Sequence, residues 1–350
     1  MKIAFILPAL ANKGPIVVAR DIINVLVKEG HVIDVFFFDE KNEIALDASS
    51  SRKITMKETI PFDEYDIVHS HGLRPDYYIW KHRRHIRTKC CTTMHNYIHE
   101  DLKFQYNQLV ATLFGFLWTR FLKKQDHVFV LSNHMKQYYT RWISADKIEV
   151  IYNGRSFPDI GSALRQDELA KLEKLKKEFI VLGVIAQLTK RKGIDQAIKI
   201  LPQLPGYCLL VVGDGKEKEQ LERLAEQYKV EDRCIFWGYH KNGSLFMSLI
   251  DIYLMLSRSE GFPLSLIEAA SQGIPTVCSG IPIFKEVFTQ QEVTFFELEN
   301  EQSLFQAITS INYLRDTYSQ KISQFYQNRL TAEIMGNNYL LAYKRLAAVN

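Results

Sequence analysis

Cysteine is scarce and unpatterned in this chain. The 350 residues hold five, Cys90, Cys91, Cys208, Cys234 and Cys278. The number is odd and no Cys-x-x-Cys pair occurs, which argues against a disulfide framework or a thiolate zinc site. Each cysteine lies in or beside an apolar, strand-like run, so buried, reduced thiols of a cytoplasmic protein are expected. Long hydrophobic runs are also missing. No stretch reaches the ~18 apolar residues of a membrane span. Residues 109–122 come nearest, but Thr112, Thr119 and Arg120 interrupt them. There is no His-Glu-x-x-His sequence and no Asp-x-Asp-type pair beside a glycine turn, so no metal is expected. Short repeats and low-complexity segments are absent. The formal net charge of +4 is too small to imply a nucleic-acid partner, and none is expected.

What is present is an ordinary soluble composition, 47% hydrophobic and 24% charged, with length enough for two cores. The start resembles a signal peptide in that Lys2 precedes an apolar run. Pro8 breaks that run and Asn12, Lys13 and Gly14 follow at once, so a first buried strand is preferred. Strand-like runs at 2–7, 32–38, 66–69, 89–93, 127–131 and 148–152 alternate with helical stretches such as 15–28. Asn153-Gly154 breaks the rhythm, a polar segment follows, and the alternation restarts at 179–186, 207–212, 234–237, 250–256 and 275–278. This is the βαβ pattern of parallel sheets covered on both faces. The expected organisation is α/β, with two Rossmann-like domains facing each other across a cleft. Residues 1–155 form the first, completed by a C-terminal helix at 331–350. Residues 156–177 are a linker and 178–330 form the second domain. Ligands of open α/β sheets bind at the carboxyl ends of strands, so the interdomain cleft is the expected site.

The most specific string is Ser259-Glu260-Gly261-Phe262-Pro263-Leu264-Ser265-Leu266-Ile267-Glu268-Ala269. A strand ends just before it, and a helix is predicted to begin near Pro263 and to end at Gly273. A helix N-terminus suits a phosphate or a sugar hydroxyl. Glu260 lies on the turn and Glu268 more than one turn into the helix, so the two carboxylates can address different parts of one extended ligand. Singly, each glutamate reads as a solvated carboxylate. The whole string resembles the Glu-x7-Glu signature of the family 4 retaining glycosyltransferases, which have the GT-B fold. The resemblance implies that Glu260, Gly261, Phe262, Pro263 and Leu264 hold a donor sugar and that Glu268 binds the ribose.

The resemblance continues through Gly183-Val184-Ile185-Ala186-Gln187-Leu188-Thr189-Lys190-Arg191-Lys192-Gly193. It implies that Lys192 binds the donor diphosphate, and a lysine beside helix N–H groups suits that task. The family usually has an arginine where this chain has Gln187, which leaves Lys190 and Arg191 to supply the missing charge. The turn Gly213-Asp214-Gly215 is similar to the family's turn beside the nucleotide, and Trp237-Gly238-Tyr239 to the segment near the base. Otherwise Trp237 reads as core. Gly14, in the first strand-to-helix turn, stands where the family often has two glycines close to the diphosphate or acceptor.

Six of the ten histidines fall between residues 69 and 99. His95 matches a family histidine that approaches the donor sugar. His69 and His71 end the preceding strand and, with Asn96 beside His95, are expected to line the acceptor side, although a histidine merely satisfied by hydrogen bonds at a strand end is an equal reading. Residues 74–89 concentrate Arg74, Lys81, Arg83, Arg84, Arg87 and Lys89 against one acid, Asp76, with Tyr77, Tyr78 and Trp80 interleaved. Such a stretch can dock on anionic lipid, form a plain solvated face or, as the least favoured reading, make a nucleic-acid patch.

Together these readings imply an enzyme that transfers a sugar from a nucleoside diphosphate donor, a UDP-sugar being favoured. Its acceptor would be a glycan or a lipid-linked oligosaccharide of surface polysaccharide synthesis. No cofactor is expected, and the enzyme would work in the cytoplasm with peripheral contact to an anionic membrane. Catalysis is assigned to Glu260, Lys192 and His95. A sugar-nucleotide epimerase or a non-catalytic sugar-nucleotide-binding subunit remains open on the sequence.

Overall fold

The computed structural model of the chain describes residues 1–105, 108–157 and 165–348. The chain divides into two compact units, one of residues 1–156 with 330–350 and one of residues 157–329. The first unit runs β1 (Lys2–Leu10), α1 (Gly14–Lys28), β2 (Val32–Asn42), β3 (Ser50–Lys53), β4 (Ile67–His71), α2 (Leu73–His82), β5 (Lys89–Met94), α3 (Ile98–Gln105), α4 (Gln108–Leu122), β6 (His127–Val130), α5 (Asn133–Tyr139) and β7 (Ile148–Val150). Its strands lie in the order β3-β2-β1-β4-β5-β6-β7, each pair parallel. β1 is central and its Ile3–Leu7 core residues are fully buried. That is why it reads as a continuous apolar run rather than an alternating one.

The second unit runs α6 (Gln166–Glu178), β8 (Ile180–Ile185), α7 (Asp195–Ile200), β9 (Tyr207–Val212), α8 (Lys218–Gln227), β10 (Cys234–Gly238), β11 (Ile252–Met255), α9 (Leu264–Ser271), β12 (Thr276–Ser279), α10 (Pro282–Val287), β13 (Thr294–Phe296), α11 (Glu301–Tyr313) and α12 (Arg315–Arg329). Its parallel strands lie in the order β10-β9-β8-β11-β12-β13. One core, including Leu182, Leu209, Val211, Ile252, Leu254 and Ile308, fills the space between sheet and helices.

The chain then returns to the first unit as α13 (Ala332–Ala348), with the Arg155 N–H donating to the Leu330 carbonyl at 2.9 Å. α13 packs on α1, and Tyr339 and Tyr343 are fully buried against the first sheet, both within ring contact of Phe129.

Of the polar segment 156–177, residues 158–164 lie outside the described residues, as do 349–350, and Gln166–Glu178 is α6. Two strands have no counterpart in the sequence reading. β3 is an exposed polar edge strand of sequence Ser-Ser-Arg-Lys, and β13 is three residues long. Neither carries the apolar alternation that marks a strand. The five cysteines are all buried free thiols. Among the described residues no helix is long and apolar enough to cross a membrane.

The strand orders fix where ligands can lie. In the first sheet the winding reverses beside β1, between β2 and β4. In the second it reverses beside β8, between β9 and β11. At such points the loops leaving adjacent strands part and open a crevice at the carboxyl ends. The turns that follow β1 and β4, and those that follow β8 and β11, are therefore the places to look for chemistry.

Candidate functional site

In the second unit, the turn after β8 winds through Lys190–Lys192 as a short 3-10 helix and ends at Gly193. Gly193 has φ +66°, and a Cβ there would lie 2.3 Å from the Leu256 carbonyl oxygen, so only glycine lets this turn press against the end of β11. The contact brings two stretches of sequence together. Lys192 Nζ donates to Glu260 Oε1 at 2.6 Å, and Arg191 Nη1 donates to Glu260 Oε2 at 3.3 Å and to the Ser259 carbonyl at 3.1 Å. Ser257 Oγ, itself buried, donates to the same Oε1 at 2.6 Å. Glu260 is only 7% exposed, so its charge is compensated by two cations and a hydroxyl rather than by water.

Around this cluster sits a clamp that the sequence did not announce. The Arg258 N–H donates to the Arg191 carbonyl at 2.7 Å, and its guanidinium donates to the Lys190 carbonyl, to both oxygens of Asp195 and to Glu299. These carboxylates raise the Arg258 pKa further. Gln196, buried, donates to the Gly193 and Leu256 carbonyls and accepts from the Glu299 N–H. Asp195, Gln196, Arg258 and Glu299 thus fix the two turns to each other. Their partners lie up to 103 residues apart, which no local pattern records.

α9 begins at Leu264, one residue after the predicted start, with Pro263 at the capping position. Glu268 lies about one turn in and is half-buried, and Gly261, Phe262, Pro263 and Leu264 make the passage from turn to helix. The ends of β8, β9 and β10 are knitted by backbone bonds: Leu188 N–H to Asp214 carbonyl at 2.9 Å, and Gly213 N–H to Gly238 carbonyl at 2.8 Å. Gly213, at φ +144°, passes so near Ala186 that a Cβ would lie 1.9 Å from its carbonyl oxygen. Gly215 follows on the same turn, its N–H bonded to Asp214 Oδ1. Gln187 and Lys190 expose their side chains beside these turns, and Tyr239 is exposed as well. Trp237 packs edge-on against Phe246, with Lys171 Nζ 5.6 Å from its ring centre.

In the first unit, Gly14 opens α1 directly after β1. His69 is a correction. It was expected on the acceptor side, but its side chain is wholly buried, with Nδ1 2.5 Å from Tyr343 Oη and Nε2 2.9 Å from Thr93 Oγ1. It belongs to the core under α13. His71, at the end of β4, is also fully buried, between Phe5 and His69. Its Nδ1 lies 2.9 Å from Nε2 of His95, the half-buried residue that follows β5. Asn96 comes next, its carbonyl accepting from Tyr139 Oη. Burial lowers the pKa of all three histidines, that of His95 to about 3, so they are neutral at pH 7. His99 turns away to Tyr138 and Trp142. Among the described residues no three His, Cys, Asp or Glu side chains are grouped to hold a metal ion.

The basic stretch 74–89 is partly committed to the fold. Arg74 pairs with Asp39, Lys81 donates to the Met56 carbonyl, and Arg83 makes a bidentate bond to Asp126. Asp76 is buried, receives Trp118 Nε1 and Ser70 Oγ at 2.7 Å, and has its pKa raised by burial to about 6. Tyr77 and Trp80 stack on each other, and both make tilted ring contacts with Phe121 of α4. α4 exposes Leu109, Leu113, Phe114, Phe116 and Leu117.

Comparison with known proteins matches both halves of the chain. A family described as "Glycosyltransferase Family 4" matches residues 13–156, and one described as "Glycosyl transferases group 1" matches residues 165–337. The O-antigen biosynthesis glycosyltransferase WclY of Escherichia coli is 34% identical over 358 aligned residues, covering 99% of each chain. Among solved structures, sucrose-phosphate synthase from Thermosynechococcus elongatus superposes with a TM-score of 0.80 at 20% identity, covering all of both chains. Anabaena HepE, solved in complex with UDP and glucose, gives 0.79 at 16% identity, covering 99% of this chain and all of that one.

Proposed function

This chain belongs to the family 4, group 1 glycosyltransferases and has their GT-B fold, and from that premise we propose that it moves a sugar from a UDP-sugar to a glycan or lipid-linked acceptor of a surface polysaccharide of the O-antigen type. The O-antigen biosynthesis role of WclY and the UDP and glucose held by HepE support the acceptor class and the donor. The observation that carries the reading is the Lys192–Glu260–Arg191 cluster at the switch point of the second sheet.

In this reading Lys192 and Arg191, joined by Lys190, take the donor diphosphate. Gln187 contributes neutral hydrogen bonds at its side. Gly14, Gly213, Asp214, Gly215, Trp237, Gly238 and Tyr239 border the nucleotide, and Glu268 accepts from the ribose hydroxyls. Glu260, with the turn Gly261–Leu264, holds the sugar, assisted by His95. Asn96 lies toward the acceptor; His71, expected there as well, is wholly buried behind His95 and does not reach it. The acceptor hydroxyl attacks the anomeric carbon from the side the diphosphate leaves, so configuration is retained. The new bond joins acceptor oxygen to that carbon, the carbon–phosphate-oxygen bond breaks, and the acceptor proton passes to the departing phosphate. The enzyme's part is positioning and stabilisation of the leaving charge. A diphosphate that draws Lys192 and Arg191 away leaves Glu260 held by Ser257, with oxygen lone pairs open to a hydrogen bond from a sugar hydroxyl.

Peripheral membrane contact belongs to the same reading. We assign it chiefly to α4. Leu109, Leu113, Phe116 and Leu117 recur at helical spacing on one exposed face. The exposed cations Arg84, Arg87, Arg120, Lys123 and Lys124 flank it in sequence or across the Tyr77–Trp80–Phe121 stack. Apolar side chains bordered by cations that make no ion pair among the described residues suit an anionic lipid surface.

The test is calorimetry with UDP together with a panel of labelled sugar nucleotides. Glu260→Ala is expected to abolish transfer while UDP still binds within about threefold. Glu268→Ala is expected to weaken UDP by about tenfold, the worth of one charge-assisted hydrogen bond. Equal UDP affinities in the two variants would show the roles to be misassigned.

A further inference from the structure

We infer that His71 is a positioning residue that fixes the tautomer of His95, so that His95 serves as a hydrogen-bond donor through Nδ1 and not as a proton acceptor. The inference rests on the proposed donor-side role of His95 and deepens it. Nδ1 of His71 and Nε2 of His95 are 2.9 Å apart, and one of the two must carry the proton between them. Burial keeps both rings neutral, so each has a single N–H. If His95 donates, His71 must bear its own proton on Nε2. Among the described residues that buried atom has no hydrogen-bond partner, so an N–H there would be orphaned. If His71 donates, Nε2 of His71 is a bare lone pair. An unsatisfied buried acceptor occurs more readily than an unsatisfied N–H. The second arrangement is therefore the stable one.

The surroundings of His71 leave it no other course. Phe5 stacks on one side of its ring at 5.9 Å and His69 lies at 4.4 Å. His69 has both nitrogens engaged by Tyr343 and Thr93, so it neither donates to His71 nor accepts from it. The backbone ladder between β4 and β5 places His71 opposite Thr93, two residues before His95, which sets the ring-to-ring distance. With Nε2 of His95 accepting from His71, its one proton sits on Nδ1. His95 then has no free basic nitrogen, and what it can offer a sugar is an N–H.

Long-range 1H–15N correlation spectra of the imidazoles in the whole wild-type protein test this directly, with His71→Asn and His95→Ala used for assignment. The expected result is a protonated Nδ1 and a bare Nε2 on His95. A protonated Nε2 on His95 overturns the inference. Kinetics provide the second arm. His71→Phe keeps a ring but no donor, and is expected to lower kcat/KM at least about tenfold. His71→Asn puts an NH2 group near the lost Nδ1–H and is expected to stay within about threefold of wild type. In a His95→Ala background, His71→Phe should add nothing, since His71 acts through His95. Additive losses overturn the positioning role alone. A silent His95→Ala overturns it together with the donor-side reading, whereas a severe His95→Ala with non-additivity supports both.

Discussion

The crevices at the ends of the two sheets are built from different physics. At β8 and β11 the groups are ionic: Glu260 lies between Lys192 and Arg191, and Arg258 binds Asp195 and Glu299. At β4 and β5 they are neutral: His69 bonds to hydroxyls, His71 to His95, and among the described residues no carboxylate hydrogen-bonds to the three. The first kind of site suits a ligand that brings its own charge, because cations already organised around a carboxylate can be lent to a phosphate. The second suits hydroxyl groups, which need orientation more than charge. Charge balance is thus a property of one unit, and proton placement of the other.

The comparison breaks first on Lys192. Lys192→Ala is expected to cut transfer at least a hundredfold, the scale seen when one stabiliser of developing charge is lost. Arg191→Ala or Lys190→Ala should cost about tenfold, and Gln187→Arg should leave the enzyme active within about threefold, since the crevice already suits an anion. Silent Arg191 and Lys190 variants beside a dead Lys192 variant would show that one cation suffices.

Next in size is the membrane contact proposed for the first unit. Replacing Leu113, Phe116 and Leu117 with serine is expected to lower partitioning onto anionic vesicles at least about tenfold, from the apolar area lost. Arg84→Ser with Arg87→Ser should cost about 1 kcal/mol per charge and lose that effect in high salt. UDP affinity should not change in either set. Unchanged sedimentation of the apolar triple variant would remove α4 from the interface, and a concentration-dependent dimer lost in that variant would identify a second copy as its occupant.

The smallest effect is acid sensitivity. His69, His71 and His95 have folded pKa values below the ordinary 6.5, so the folded protein binds fewer protons than the unfolded chain below that pH. Their contribution to stability is present above pH 6.5 and is lost as the pH falls, with up to about 1.4 kcal/mol per pH unit for each histidine. Asp76 works the other way. Its raised pKa of about 6 adds stability that is present below its ordinary 3.8 and lost as the pH rises through 6. Three histidines outweigh one carboxyl, so the first unit should unfold on acidification before the second. Trp80, Trp118 and Trp142 report on the first unit and Trp237 on the second. Coincident acid transitions in fluorescence, compared with and without Trp237→Phe, would sink the idea.

The alternation of elements was legible because both sheets are parallel and doubly covered, which writes them as apolar runs between amphipathic helices. β3 and β13 were not, since an exposed edge of Ser-Ser-Arg-Lys and a three-residue strand have no such signature. The turns holding Lys192 and Glu260 were found because each is continuous in sequence and ends a strand. Ser257, Gln196, Arg258 and Glu299 were passed over, since what they do depends on contacts between distant segments. The reading of His69 failed for the same reason. A strand-end histidine looks available until a tyrosine 274 residues later covers it.

That late tyrosine has a consequence for how the chain is made. The second unit is one continuous stretch, 157–329, and holds all its own strands. The first lacks α13 until residues 332–348 have been made, and Thr93, His69 and Phe129 wait for Tyr339 and Tyr343. On a ribosome adding about 5–20 residues per second, the half begun first is the half finished last. A nascent chain stalled before residue 330 carries a complete second unit and a first one whose apolar surface under α13 is still uncovered.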